Sequence, residues 1–295
     1  MRIPLFFIIV LNVLFIGCDP YADELKPYNP VLAGATIVDI YNITGQVKFE
    51  KKYFEGLIKD YYDLAIYNDK IYIRTYDVLY IFGKITFSKI GEIKIKFLYR
   101  PGIQYFENDG LVILDDNTGF LLCKMSGVSE KYLYSLDLNT GDALLVEDLD
   151  QIGIEKSKLE GIGYDKENDS IWFSTFPITS GNIYYCLYNT YNQSFSVEKK
   201  INKFFTTMAL PSIFISGDKL FYTGYSYTDP SRKYKTNIGV ERYSISDPTE
   251  RQHFINAEYL GTKTVPQEII YDKPYIWMMV ERDNQIQMLK LLPNE

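Results

Sequence analysis

The segment Gly161-Ile-Gly-Tyr-Asp-Lys-Glu-Asn-Asp-Ser-Ile-Trp-Phe173 carries the pattern that decides the fold. An apolar run leads into an acidic turn, and a second run with an aromatic centre follows it. Branched and aromatic residues bounded by Gly, Asn and Asp are typical of short, half-buried strands joined by hairpins. The segment therefore predicts two adjacent antiparallel strands.

The same pattern recurs in four other places, which indicates a repeat architecture. The other segments are Leu64–Ile73, Ile103–Ile113, Ser212–Tyr222 and Ile269–Met278. The centres of the second strands align as Tyr72, Val112, Trp172, Phe221 and Trp277, at intervals of 40 to 60 residues. A third strand and a more polar fourth strand follow most units. Four strands repeated at this period are the signature of a β-propeller blade.

Residues 33–295 are therefore expected to form a single all-β domain, a β-propeller of about five four-stranded blades. The fifth unit lacks a fourth strand, whereas Ala35–Phe49 has strand character and no unit of its own. We predict that this segment supplies the outer strand of the last blade. The ring would then close by pairing of its N- and C-terminal strands, which removes a free sheet edge. Six blades and a flat β-sandwich are the alternatives.

The start of the chain has the features of an export signal. Arg2 precedes an apolar run from Ile3 to Ile16, and this run of about fourteen residues is too short to span a bilayer comfortably. The residues Ile16-Gly17-Cys18 resemble the bacterial lipobox, in which the cysteine thiol is lipidated and becomes the mature N-terminus.

The lipobox resemblance implies a lipoprotein signal peptide over residues 1–17 and a lipid such as palmitate on Cys18. Residues 18–32 contain three prolines and would form the tether. The domain is thus expected to be extracytoplasmic and anchored to a bacterial membrane, on its periplasmic face or at the cell surface. An uncleaved signal anchor is the alternative, and it places the domain on the same side.

The composition excludes several classes of function. The 38 Asp and Glu residues outnumber the 31 Lys and Arg residues, for a net charge of -7. This argues against a nucleic-acid partner, because phosphate binding needs a basic surface. One histidine and three cysteines leave little material for a zinc site. No metal and no other cofactor are therefore expected.

Two glutamates are candidate channel-mouth acids. Glu160 and Glu268 occupy the same place, at the start of a first strand. First strands line the central channel of a propeller, so both acids could face its mouth. The run Glu160-Gly-Ile-Gly-Tyr-Asp165 resembles the strand entries of propellers of the gluconolactonase and SMP-30 group, in which an equivalent Glu binds a metal. The companion Asn and Asp ligands are not recognisable, so channel acids without a metal are the favoured interpretation.

The segment from Tyr225 to Asn237 is the longest polar insertion between strands and is a candidate binding loop. Its candidate residues are Tyr225, Tyr227, Arg232, Lys233, Tyr234 and Lys235. The basic residues suit an anionic partner or a lipid headgroup, and the tyrosines suit a sugar. A plain solvated loop is the alternative. Most other tyrosines alternate within strands and are interpreted as blade packing.

Cys123 and Cys186 lie in neighbouring predicted blades. An oxidising compartment would allow a disulfide between them. Their apolar flanks favour two separate buried thiols.

The leading hypothesis is a non-enzymatic, membrane-anchored propeller that binds a protein or glycan partner in the cell envelope. In outline the chain resembles bacterial lipoproteins with SMP-30- or WD40-like propeller domains. The alternative is a metal-dependent lactonase or glycosidase with Glu160 and Glu268 at the channel. A purely structural envelope component is a third possibility, because propellers host many unrelated activities.

Overall fold

The chain folds almost entirely into short β-strands. A computed structural model describes residues 34–47, 50–54, 57–98, 106–125, 131–146, 149, 153–154, 159–166, 168–175, 181–189, 191, 194–204, 213–216, 218–227, 235–244, 246, 251–262, 268–283 and 285–294. The strands are β1 (Ala35–Asn42), β2 (Glu50–Phe54), β3 (Leu57–Tyr61), β4 (Asp63–Tyr67), β5 (Lys70–Thr75), β6 (Val78–Gly83), β7 (Lys89–Lys94), β8 (Lys96–Phe97), β9 (Phe106–Ile113), β10 (Thr118–Met125), β11 (Lys131–Asp137), β12 (Asp142–Leu145), β13 (Leu159–Asp165), β14 (Ser170–Thr175), β15 (Gly181–Asn189), β16 (Ser194–Phe204), β17 (Ile213–Ser216), β18 (Lys219–Tyr227), β19 (Lys235–Ser244), β20 (Arg251–Asn256), β21 (Glu268–Asp272), β22 (Tyr275–Arg282) and β23 (Gln285–Pro293). A short helix, α1 (Ala257–Leu260), follows β20.

Five antiparallel four-stranded sheets form the blades. In chain order they contain β4–β7, β9–β12, β13–β16, β17–β20, and β21–β23 together with β1. Strand β8 adds to the outer edge of the second blade by pairing in parallel with β12. Strands β2 and β3 form a separate hairpin before the first blade. This arrangement confirms the predicted β-propeller.

The first strands of the blades make a closed ring. Strands β4, β9, β13, β17 and β21 contact one another in that order, and β21 returns to contact β4. A flat sandwich would not bring the first and last of these strands together. The described strands therefore form five blades around a central channel.

Apolar side chains fill the spaces between successive blades. Tyr72 and Leu121 belong to the cluster between the first two blades, and Phe120 and Phe173 to the next cluster. Trp277 lies in the cluster between the fifth blade and the first. The described clusters lie between the first and second, the second and third, the fourth and fifth, and the fifth and first blades. Burial of this apolar surface is the main force that holds the blades together.

The N-terminal strand closes the ring as predicted. Strand β1 pairs with β23 in antiparallel register, from Ala35 opposite Pro293 to Asn42 opposite Gln287. A bulge between Ile37 and Asp39 interrupts this pairing. A bulge and a charged residue on an outer strand discourage the addition of a further strand.

The second blade differs from the alignment made on the sequence. The alignment treats Ile103–Ile113 as two strands, whereas β9 is a single first strand and β10 is the second. Val112 lies opposite Phe120, which is therefore the counterpart of Tyr72. With Phe120 the position is aromatic in every blade. The error has a physical cause. Glycine is typical of turns, but Gly110 is needed for close packing between strands, because a Cβ there would lie 2.5 Å from Ile162 Cγ2.

The predicted leader, Cys18 and tether lie outside the described residues. The helix α1 has four residues. Among the described residues, no helix has the length and apolar character needed to cross a membrane.

Gly34 provides a test of the ring closure. Its amide N–H donates to the Phe254 carbonyl at 2.7 Å, and its own carbonyl accepts from the Asn294 N–H at 2.8 Å. A Cβ at this position would lie 2.6 Å from the Phe254 carbonyl oxygen. Gly34→Ala is therefore expected to lower the free energy of unfolding by about 1–3 kcal/mol, the usual cost of overpacking. Urea unfolding of the variant and of the unaltered protein measures this difference in stability.

Gly91→Ala is the matched control, because the nearest atom to a Cβ there is a side-chain carbon 3.9 Å away. Equal stability of the two variants would show that the closure at Gly34 contributes nothing.

Candidate functional site

The first strands of all five blades surround one cavity of about 320 Å³, which is the central channel. This volume lies at the small end of the range of about 300–1,000 Å³ that is usual for ligand pockets. Lys70 is the first residue of β5, directly after the turn that follows β4, and it forms an ion pair with Asp116 in the turn after β9 at 3.2 Å. These two turns therefore share one end of the ring. We call this end of the channel the turn end. The opposite end, at which the first strands begin, is called the start end.

Aromatic rings form much of the channel wall. They are Tyr67, Tyr164, Trp172, Phe214 and Tyr271. The ring of Tyr271 stacks on that of Phe214, with centroids 5.5 Å apart and an interplanar angle of 15°. The three tyrosines are half-buried and lie close to the turn end. Each of these tyrosines lines the channel and combines an apolar ring with a hydroxyl group.

Trp172 owes its position to a glycine on the neighbouring strand. It lies opposite Gly163, and a Cβ on Gly163 would lie 2.1 Å from Trp172 Cζ2. Any side chain there would push the indole out of place. The absence of a side chain at Gly163 lets the tryptophan pack directly against β13 beside the channel.

Carboxylates line the channel at both ends. Glu268 begins β21 at the start end and is 9% exposed. Asp165 ends β13 at the turn end, is 8% exposed, and accepts a hydrogen bond from Asn168 Nδ2 at 2.8 Å. Asp272 at the same end forms an ion pair with Lys84 at 2.8 Å. The channel therefore combines aromatic surface with fixed hydrogen-bond acceptors.

The hydroxyl groups of Tyr164 and Tyr185 stay protonated. Burial raises the pKa of Tyr164, and the hydrogen bond that its hydroxyl donates to Asp169 Oδ1 at 2.5 Å raises it further. Burial raises the pKa of Tyr185 as well, with a second contribution from the charge of Asp165. The Tyr164 proton is directed at Asp169, so its oxygen is available to accept a hydrogen bond from a ligand.

Of the two predicted channel acids, the structure describes the side chain of Glu268 but only the backbone of Glu160. Glu268 is part of the channel wall. Glu160 lies in β13 at a bulge between Leu159 and Gly161, and its side chain lies outside the described part of the structure. Both backbones are at the start of a first strand, but the expectation that they occupy the same place is wrong by one residue. Glu268 pairs with Met279 as Gly161 pairs with Ser174, so Glu268 corresponds to Gly161, and Glu160 is the extra residue of the bulge.

The predicted binding loop is partly strand. Tyr225 and Tyr227 belong to β18 and Lys235 belongs to β19, with Tyr227 paired opposite Lys235. The hairpin thus extends further than its polar composition indicates, because an antiparallel ladder satisfies the backbone whatever the side chains are. Arg232, Lys233 and Tyr234 lie outside the described residues.

Cys123 and Cys186 are free thiols buried in the second and third blades. This agrees with the interpretation favoured on the sequence. Burial is the main cause that raises the pKa of the Cys186 thiol to about 12, with a contribution from the charge of Glu198. A protonated, buried thiol is chemically inert, so its role is packing.

The potential metal ligands of the described residues are scattered. No three His, Cys, Asp or Glu side chains within that part of the chain come together in a way that could hold a metal ion. The channel, as far as it is described, offers aromatic rings and separate carboxylates.

Sequence reasoning missed the channel tyrosines, which it interpreted as blade packing. One signal could have identified two of them. Tyr164-Asp165 and Tyr271-Asp272 are the same dipeptide, each at the end of a first strand and directly before the turn. In a propeller this place lies at the rim of the channel.

Comparisons with known proteins show no family for this chain. No protein-family model matches the chain, and no curated protein is similar to it. An exo-β-1,3-galactanase from Phanerochaete chrysosporium is 10% identical with a TM-score of 0.49, over 78% of this chain and 59% of that one. An extracellular domain assigned to a hybrid two component system of B. thetaiotaomicron is 14% identical with a TM-score of 0.38, over 80% and 28%. This chain spans less than two thirds of either neighbour, and neither similarity extends to activity.

Proposed function

We propose that this protein is an extracytoplasmic, lipid-anchored propeller that binds a glycan of the cell envelope in its central channel. The observation that carries the proposal is the channel itself, in which aromatic rings and carboxylates from four of the five blades line one cavity. The anchor at Cys18 rests on the sequence.

The chemistry of the channel wall suits a sugar. A pyranose has apolar C–H faces and a rim of hydroxyl groups. Tyrosine and tryptophan rings pack against the apolar faces, and their polar atoms and the nearby carboxylates bond the hydroxyls. Tyr164 and Asp165 are consecutive residues of β13 in the channel wall, so a sugar in contact with one can reach the other.

The hairpin of β18 and β19 is proposed as a second contact surface, for a protein or an anionic group. Lys235 and the neighbouring basic residues Arg232 and Lys233 concentrate positive charge on an otherwise acidic chain. Loops and hairpin tips on a rigid scaffold are common binding surfaces.

Tyr164→Ala tests the channel as the binding site. Loss of the ring removes stacking surface and a hydrogen-bond acceptor, and is expected to weaken glycan binding by about tenfold or more. A panel of immobilised cell-envelope glycans would identify a ligand, and isothermal titration calorimetry with that ligand would give the affinities.

Tyr191→Ala is the matched control. Tyr191 follows β15 in a turn on the outer part of the ring, is 97% exposed, and does not line the channel. Its loss is expected to leave the affinity unchanged. Absence of binding to the panel, or equal affinities of the two variants, would contradict a glycan site in the channel.

A metal-dependent lactonase or glycosidase is the second candidate function. The position of Glu268 in the channel wall favours it, because catalytic carboxylates of propeller enzymes need access to a ligand in the channel. Metal analysis of the purified protein and a calcium-dependent thermal shift distinguish the two. A stoichiometric metal would support the enzyme over the binding protein.

A further inference from the structure

One position of the channel wall can be followed through all five first strands. In each blade it comes directly after the residue that lies opposite the aromatic centre of the second strand. The residues at this position all line the channel, and they are Ile66, Ile113, Tyr164, Ile215 and Tyr271. Isoleucine therefore satisfies the fold in three blades, and the third and fifth blades depart from it in the same way.

The two tyrosines are also held in the same way. Each is half-buried and packs on the apolar cluster between its own blade and the preceding one. Tyr164 packs on the cluster of the second and third blades, and Tyr271 on that of the fourth and fifth. Each is followed by an aspartate and a lysine that line the channel as well. The rotation of the ring that carries the third blade onto the fifth therefore carries one tyrosine onto the other.

Further contacts hold each tyrosine ring in place. Tyr271 stacks on Phe214, which stacks in turn on Phe221 with ring centroids 4.4 Å apart and an interplanar angle of 10°. The hydroxyl of Tyr164 donates a hydrogen bond to Asp169 Oδ1 at 2.5 Å. Side chains that are fixed before a ligand arrives lose little conformational entropy when it binds, so both rings are suited to act as contact surfaces.

We propose that Tyr164 and Tyr271 form two equivalent subsites, and that the channel recognises at least two units of one glycan chain rather than a single sugar. This inference rests on the proposed function. A glycan chain repeats the same unit, and two like contacts in one cavity match two like units. Once the first unit is bound, the second contact is intramolecular, so it raises the affinity without a second loss of translational freedom.

The test uses oligomers of one to four units, made of β-1,4-linked N-acetylglucosamine, of β-1,4-linked glucose and of α-1,6-linked mannose. Isothermal titration calorimetry with the full-length protein gives the affinity at each length. The affinity is expected to rise by about tenfold or more between one unit and the shortest oligomer that reaches both tyrosines. Further units should change it little, because they lie outside the two subsites.

Tyr164→Ile and Tyr271→Ile give each blade the residue that the other three blades have at this position. Each variant should keep the weak binding of a single unit, which the remaining tyrosine holds, and lose the rise in affinity with length. A tyrosine with a merely structural role would not produce this pattern. The comparison of lengths on the unaltered protein needs neither variant, so a folding defect in one of them would not affect it.

Tyr191→Ile is the matched control. Tyr191 is exposed and does not line the channel, so this variant should keep the full rise in affinity with length.

The possible failures can be told apart. Equal affinities for one unit and four units would overturn the pair of subsites and leave a glycan site in place. The same conclusion would follow if either channel variant kept the full rise, or if the panel of envelope glycans bound and none of the oligomers did. No binding of the oligomers or of the panel would overturn the glycan site as well.

Discussion

Replacing Arg74 with methionine is expected to lower the free energy of unfolding by about 3–5 kcal/mol. Arg74 lies in β5 and is fully buried. Its Nη1 atom donates to Asp63 Oδ2 at 2.9 Å and to the Leu122 carbonyl at 3.3 Å, and its Nη2 atom donates to Cys123 Sγ at 3.1 Å. Methionine fills much of the volume, but it leaves the buried Asp63 carboxylate without its cation.

The position of Arg74 makes this loss larger than that of an ordinary core residue. The guanidinium joins two strands of the first blade to the second strand of the next blade. A buried carboxylate that has lost its partner must either remain charged in an apolar environment or take up a proton, and both cost free energy. The double variant Asp63→Leu, Arg74→Met removes both charges and should recover much of the lost stability.

Urea unfolding of the single and double variants measures these effects. Lys89→Met is the matched control, because Lys89 pairs with Glu92 at the exposed outer edge of the same blade. Its loss should change the stability by less than about 1 kcal/mol. An Arg74→Met protein as stable as the Lys89→Met protein would show that the buried pair contributes no net stability.

The fold could be predicted because its physical causes are local and repeated. Alternating apolar residues mark each strand, and a turn of Gly, Asn or Asp ends it, so every blade carries its own signal. The missing fourth strand of the last unit and the unassigned strand at Ala35 together predicted the closure by β1. The strands of the second blade were assigned wrongly, because a glycine usually indicates a turn, whereas Gly110 lies inside a strand and allows close packing.

The channel could be predicted only in part, because its wall depends on contacts between distant segments. Phe214 and Tyr271 stack across two blades, although each looks like a packing residue in its own strand. Whether an aromatic residue faces another blade or the channel depends on the curvature of the ring. The two-residue periodicity of a strand shows which residues share a face, but it does not show whether that face meets another blade or the channel.

Replacing Trp277 with alanine is expected to lower the free energy of unfolding by about 3–5 kcal/mol, more than the same change at Trp172. The two are the only tryptophans of the chain and hold equivalent positions in their blades. Trp277 is 1% exposed and packs between the fifth blade and the first, beside Tyr41 of β1, with ring centroids 6.2 Å apart. Its removal would leave a closed cavity where the chain ends meet.

Trp172 borders the channel instead, so its removal enlarges a space that water already reaches. The loss of stability at Trp172 should then be close to the free energy of burying the apolar side chain, about 1.5–3 kcal/mol, with no added cost for an empty cavity, because water can occupy the new volume. Unfolding followed by circular dichroism compares the two variants without relying on tryptophan fluorescence. An equal or greater loss at Trp172 would mean that its site is as closed as the site of Trp277.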